Sequence, residues 1–72
     1  MKEADLIEAI GRRIKEVRTQ KGISQQELAA RIDYEKSNMS RLEAGKTNPT
    51  ILTLYRVAKA LGVSLTDLIQ VK

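Results

Sequence analysis

Ser24-Gln25-Gln26-Glu27-Leu28-Ala29-Ala30-Arg31-Ile32-Asp33-Tyr34-Glu35-Lys36-Ser37-Asn38-Met39-Ser40-Arg41-Leu42-Glu43-Ala44-Gly45 is the stretch that decides the fold. It opens with the pattern of a capping box. The Ser24 hydroxyl can accept from the amide three residues on, and Glu27 can reach back to the amide of Ser24. A helix starts there, turns Leu28, Ala29 and Ile32 inward, and should stop near Asp33. At about two turns it is too short to persist without tertiary support. A second segment, from about Lys36 to Ala44, carries Met39 and Leu42 three apart in an otherwise polar run, so only a narrow stripe can be buried. Gly45 stands where a left-handed residue commonly closes a helix.

The same periodicity extends on both sides. Leu6, Ile7, Ile10, Ile14 and Val17 recur at spacings of three and four, which predicts a helix with one apolar face, ending before Gly22. Beyond Gly45, the run Lys46-Thr47-Asn48-Pro49 is turn chemistry, and Thr50 can cap a helix whose Leu54, Val57, Ala58 and Leu61 share a face until Gly62 ends it. Ser64-Leu65-Thr66-Asp67 can cap a last short helix, with Asp where the box prefers Glu. No strand candidate competes and no repeat, linker or low-complexity stretch is present. The fold class is therefore all-α with five helices, in a single domain over 1–72.

Composition limits what such a domain can do. A chain of 72 residues is too short for a second core. Small domains bury only about 60% of the surface that the unfolded chain exposes, which makes a dimer a natural way to add buried area. Without cysteine there is no disulfide or thiolate site, and without histidine both of the commonest zinc ligand types are absent, so no metal or cofactor is expected. An enzyme has little support: Ser24 is explained as a cap, and the carboxylates are scattered or paired with cations. The start, Met1-Lys2-Glu3-Ala4-Asp5, is acidic where a secretory signal would be basic, and no apolar run could span a bilayer, so the expectation is a cytoplasmic protein with no membrane partner. A formal charge of +4 is compatible with a polyanion without requiring one. Two aromatics, Tyr34 and Tyr55, offer little for stacking on single strands, which favours a duplex partner.

Two short helices joined by a few residues, the second polar on its outer face, form the pattern of a helix-turn-helix, in which the second helix lies in the major groove of DNA. With Met39 and Leu42 inward, Lys36, Ser37, Ser40 and Arg41 lie toward the opposite side and are the candidate readers. Arg41 can donate two hydrogen bonds to guanine O6 and N7, Lys36 can act as a point donor, and Ser37 suits either base type. The competing reading of this stripe is a solvated face.

The order Ser24-Gln25-Gln26-Glu27-Leu28-Ala29, then Met39-Ser40-Arg41-Leu42-Glu43-Ala44-Gly45-Lys46-Thr47-Asn48-Pro49, then Val57-Ala58-Lys59-Ala60-Leu61-Gly62-Val63-Ser64 resembles the Cro and phage-repressor family, also called the XRE family. The match covers nearly the whole chain. The resemblance implies a compact five-helix domain that binds double-stranded operator DNA to control transcription, usually as a homodimer on a pseudo-palindrome. It places Lys36, Ser37 and Arg41 at base edges, with Asn38 at the backbone or a flanking base and Ser40 beside it. Gln25, at the start of the second helix, would sit on a phosphate, and Lys46, Thr47 and Asn48 would hold neighbouring phosphates. The alternatives for Gln25 and Lys46 are capping support and a solvated turn. Arg18 and Glu43 correspond to a structural salt bridge in relatives.

At two positions the chain departs from the family. Asp33 stands where glycine is usual and a positive φ is often needed; Asp tolerates that conformation better than most residues. Glu35 replaces a small polar cap just before the recognition helix. It can accept from cytosine N4, or it can repel phosphate and weaken non-specific binding. Leu65, Leu68, Ile69 and Val71 are the candidate dimer surface, with closing of the monomer core as the competing role. An alternative function is an antitoxin or other interaction module that binds a protein partner and represses its own operon.

Overall fold

The computed structural model describes residues 2–70, and among them there are five helices and no strand. They are α1 (Glu3–Gln20), α2 (Gln25–Arg31), α3 (Lys36–Glu43), α4 (Ile51–Leu61) and α5 (Leu65–Leu68). Each of the last four begins after an extended residue, and three of those residues cap with a hydroxyl. Ser24 Oγ accepts from the Glu27 amide at 3.0 Å, Thr50 Oγ1 from the Thr53 amide at 3.1 Å and Ser64 Oγ from the Asp67 amide at 3.0 Å. Such caps satisfy amides that the helix itself leaves without partners. Asp67 completes the box at α5 by accepting from the Ser64 amide at 3.4 Å.

The reciprocal half of the box expected at α2 is not made. Glu27 instead pairs with Arg31 one turn on, at 2.8 Å, so its carboxylate is drawn along the helix rather than back to Ser24. The first helix is also longer than the apolar pattern suggested, beginning at Glu3, where Asp5 accepts from the Lys2 amide at 3.1 Å. At about 1.5 Å per residue its 18 residues span roughly 27 Å, most of the molecule's longest dimension of 31 Å. Its first turns therefore overhang: Ile14 and Val17 lie in the core, Ile7 and Ile10 are half-buried, and Leu6 is exposed.

The core is drawn from every helix: Ile14 and Val17 of α1, Leu28 and Ala29 of α2, Met39 and Leu42 of α3, Leu54, Val57, Ala58 and Leu61 of α4 and Leu68 of α5, with Ile32 at the end of α2. Leu68 is fully buried, which corrects its place in the expected dimer surface: it closes the monomer. Leu65 and Ile69 are half-buried against the same core, and Val71 lies outside the described residues. Among the described residues, the large apolar side chains that face solvent are Ile51, Leu52 and Tyr55, together on the outer side of α4, and Leu6. Among the described residues no helix is long and apolar enough to cross a membrane.

Two features set the position of α3. The turn from α2 passes through Asp33 at φ 57°, the left-handed conformation anticipated there. At its other end α3 lies directly on α1. A Cβ added to Gly11 would come 2.5 Å from the Leu42 carbonyl oxygen and 2.7 Å from that of Glu43, so only glycine lets the two helices approach this closely. Gly45, at φ 72°, ends α3 in the left-handed conformation and itself packs against Glu8.

Candidate nucleic-acid interface

On α3 the buried side chains are Met39, Leu42 and Glu43, leaving Lys36, Ser37, Asn38, Ser40 and Arg41 exposed. At 100° per residue, Ser37 and Arg41 lie farthest from the buried stripe, with Lys36 and Ser40 on one flank and Asn38 on the other. The exposed face is wholly polar and carries two cations. Glu35, the residue before the helix, makes no side-chain capping bond and is exposed. The amides of the first turn of α3 are thus not covered by a side chain of that residue.

After α3 the chain turns through Lys46, Thr47 and Asn48. Lys46 and Asn48 are exposed and Thr47 is half-buried. The Lys46 amide donates to the Arg41 carbonyl at 2.9 Å, which holds this loop against the end of α3 and fixes its residues relative to the helix.

Behind α3, Arg18 and Glu43 form a two-pronged pair. Arg18 Nε donates to Glu43 Oε2 at 2.6 Å and Nη2 to Oε1 at 3.0 Å, with both residues buried. Arg18 Nη1 also donates to the Ile23 carbonyl at 2.7 Å. Gln25 joins this group, its Nε2 donating to Glu43 Oε1 at 3.0 Å. The Glu43 carboxylate therefore ties α1, the start of α2 and the end of α3, and Arg18 adds the loop before α2. The sequence placed Gln25 among the phosphate-facing residues; its side chain faces inward to this carboxylate. No buried side-chain polar atom among the described residues is left without a partner.

A cleft of about 240 Å³ lies between α3 and the loop after it, lined by Tyr34, Asn38, Arg41 and Thr47. In the sequence Tyr34 stands out only as one of two aromatics. Its one sequence signal is an aromatic ring two residues before the recognition helix, and nothing in its local spacing says that it meets Asn38 and Thr47.

A pair of short helices joined by a tight turn, the second polar on its outward side and locked from behind, defines a helix-turn-helix protein. Residues 14–68 match the family model HTH_3, described as Helix-turn-helix, and the chain belongs to that family, the Cro and phage-repressor kind. It is 40% identical over 65 residues to the uncharacterised HTH-type transcriptional regulator y4dJ of Sinorhizobium fredii, covering 90% of this chain and 84% of that protein. The HTH-type transcriptional regulator SinR of Bacillus subtilis is 42% identical over 64 residues, 88% of this chain and 58% of SinR. A crystal structure of SinR in complex with DNA matches with a TM-score of 0.76 at 42% identity, over 85% of this chain and 98% of that one. The clp gene regulator ClgR of C. glutamicum matches with a TM-score of 0.87 at 33% identity, over 89% of this chain and 82% of that one.

Proposed function

We propose that this protein is a sequence-specific regulator of transcription, a repressor, that binds double-stranded DNA by laying α3 in the major groove. The observation that carries this reading is the division of α3 into a buried stripe and a fully polar outer face with Lys36 and Arg41 on it. Water alone can satisfy a polar face; what favours DNA is that both cations stand on a helix fixed from behind by the Arg18–Glu43 pair, and the major groove, about 12 Å wide, admits a helix. Ser37 and Arg41, outermost, meet base edges, with Lys36 beside them. Ser40 and Asn38 flank them, and Lys46, Thr47 and Asn48 hold phosphates. With the Gln25 side chain turned inward and one of its two carboxamide N–H groups given to Glu43, its part in holding a phosphate falls mainly to its main-chain N–H. Glu35 stands at the edge of the same face and sets where a phosphate is unwelcome.

The protein acts as a homodimer on a pseudo-palindrome with half-sites about 34 Å apart. With Leu68 in the core, Leu65 and Ile69 remain half-buried at α5, and the outer side of α4 offers a second copy Ile51, Leu52 and Tyr55, each at least half exposed. An exposed cluster of this kind marks a surface that associates. The antitoxin reading draws on no feature beyond this same face.

Selection of bound duplexes from a random pool tests the function. A two-fold symmetric consensus is expected, with binding that falls about a thousandfold between 50 and 200 mM salt if six phosphates are neutralised. Recovery of no sequence above background, or an affinity indifferent to salt, would remove the DNA-binding reading.

A further inference from the structure

We propose that the cleft between α3 and the loop after it is the seat of one DNA backbone phosphate, and that Tyr34 supplies one of its donors. This rests on the DNA-binding reading above and assigns Tyr34 a role in it. The walls of the cleft are Tyr34, Asn38, Arg41 and Thr47. Each brings an N–H or O–H donor, one of them cationic, and no carboxylate lines the cleft. Among the described residues, the side-chain hydrogen bonds that join separate elements engage Arg13, Arg18, Gln25 and Arg31, and none of the four residues of the cleft. Four uncommitted donors around one small opening suit an anion with several acceptor oxygens.

A base edge fits less well. It mixes donors with acceptors, and it would lie beyond the outermost ridge of α3, whereas Asn38 sits on the flank of α3 that borders the cleft and Thr47 in the loop across from it. A phosphate is the acceptor that runs along that flank. Arg41 stands on the rim between cleft and ridge, and its guanidinium has enough donors to serve a base edge and the phosphate together. Tyr34 is ready for this without a ligand: its ring packs on the core and its amide donates to the Ala29 carbonyl at 2.7 Å. Little freedom is then lost when a phosphate arrives.

The test uses the full chain and the tightest duplex recovered from the random pool, with each phosphate of one half-site replaced in turn by an uncharged methylphosphonate. Tyr34→Phe keeps the ring and removes the hydroxyl. It is expected to weaken binding about tenfold, the effect of losing one hydrogen bond to a charged group, and by the same factor on the selected and a scrambled duplex. At one methylphosphonate position the loss disappears, so that variant and wild type bind that duplex equally. Thr47→Val loses its effect at the same position, and it carries the test if Tyr34→Phe does not fold. Unchanged binding by both variants, a loss that persists at every methylphosphonate position, or an altered preference at one base pair for Tyr34→Phe would overturn the seat. If the pool yields no duplex, the DNA-binding reading falls and takes the seat with it; a recovered duplex with no such coupling removes the seat alone.

Discussion

At the scale of single residues, the buried group around Glu43 and the exposed ridge of α3 make opposite demands. Arg18 and Glu43 have left water, and the attraction between them largely offsets that cost rather than adding net stability. Removing one partner strands the other. Glu43→Leu is expected to lower unfolding free energy by about 3 kcal/mol or more, while Arg18→Met with Glu43→Leu recovers much of that loss. Urea denaturation of the two variants measures the difference, and equal losses would show that the charge left behind is not the cause. Gln25, half-buried, regains water when Glu43 is gone and adds little. On the ridge, Arg41→Ala should cost about 1–3 kcal/mol in binding and relax preference at one base pair, whereas Lys46→Ala should weaken every sequence alike. Competition titrations on single-base variants of the selected site separate the two. Equal losses on every sequence for both would remove Arg41 from the base readers.

At the scale of elements, what holds α3 in place is the contact of its last turn with α1. Alanine is the better helix former by about 1 kcal/mol, so Gly11→Ala ought to help α1 on its own. The added Cβ would meet backbone carbonyls at 2.5 and 2.7 Å, which cannot rotate away as a side chain would. A net loss of about 1–3 kcal/mol is expected from this overpacking, together with weaker DNA binding because α3 must shift. Thermal melting and binding titration of the one variant check both; a stabilised variant would mean that the helices sit farther apart than described. The caps at Ser24, Thr50 and Ser64 were legible in the sequence because each joins residues three apart. The partner of Glu27 was not legible there because two local choices compete, Ser24 behind it and Arg31 ahead, and the charged partner one turn on prevails.

At the scale of the whole molecule, a small domain has limited core, and its remaining apolar surface is informative. Leu52 lies on the side of α4 opposite the buried Leu54, Val57, Ala58 and Leu61, so it does little for the folded monomer. Leu52→Glu is expected to leave the monomer's stability within about 0.5 kcal/mol while abolishing self-association in sedimentation experiments. A dimer that survives this change would place the interface elsewhere.

The sequence by itself determined the five helices, their caps, the inward stripe of α3 and the family pattern from Ser24 to Ser64. Those features depend on spacings of three and four residues and on turn chemistry, which neighbours along the chain impose on one another. Asp33 belongs with them, since the family pattern has glycine at its position and the left-handed turn expected there is present. Only the tertiary structure decided that Leu6 overhangs, that Leu68 belongs to the core, that Gln25 turns inward to Glu43, that Gly11 is required, and that Tyr34 closes a cleft with Asn38, Arg41 and Thr47. These depend on which helix lies against which, and the contacts that settle it join residues far apart in the chain, 25 positions for Arg18 and Glu43 and 54 for Arg13 and Asp67. Periodicity fixes which side of a helix is buried; it carries no information about the neighbour on that side or how near it comes.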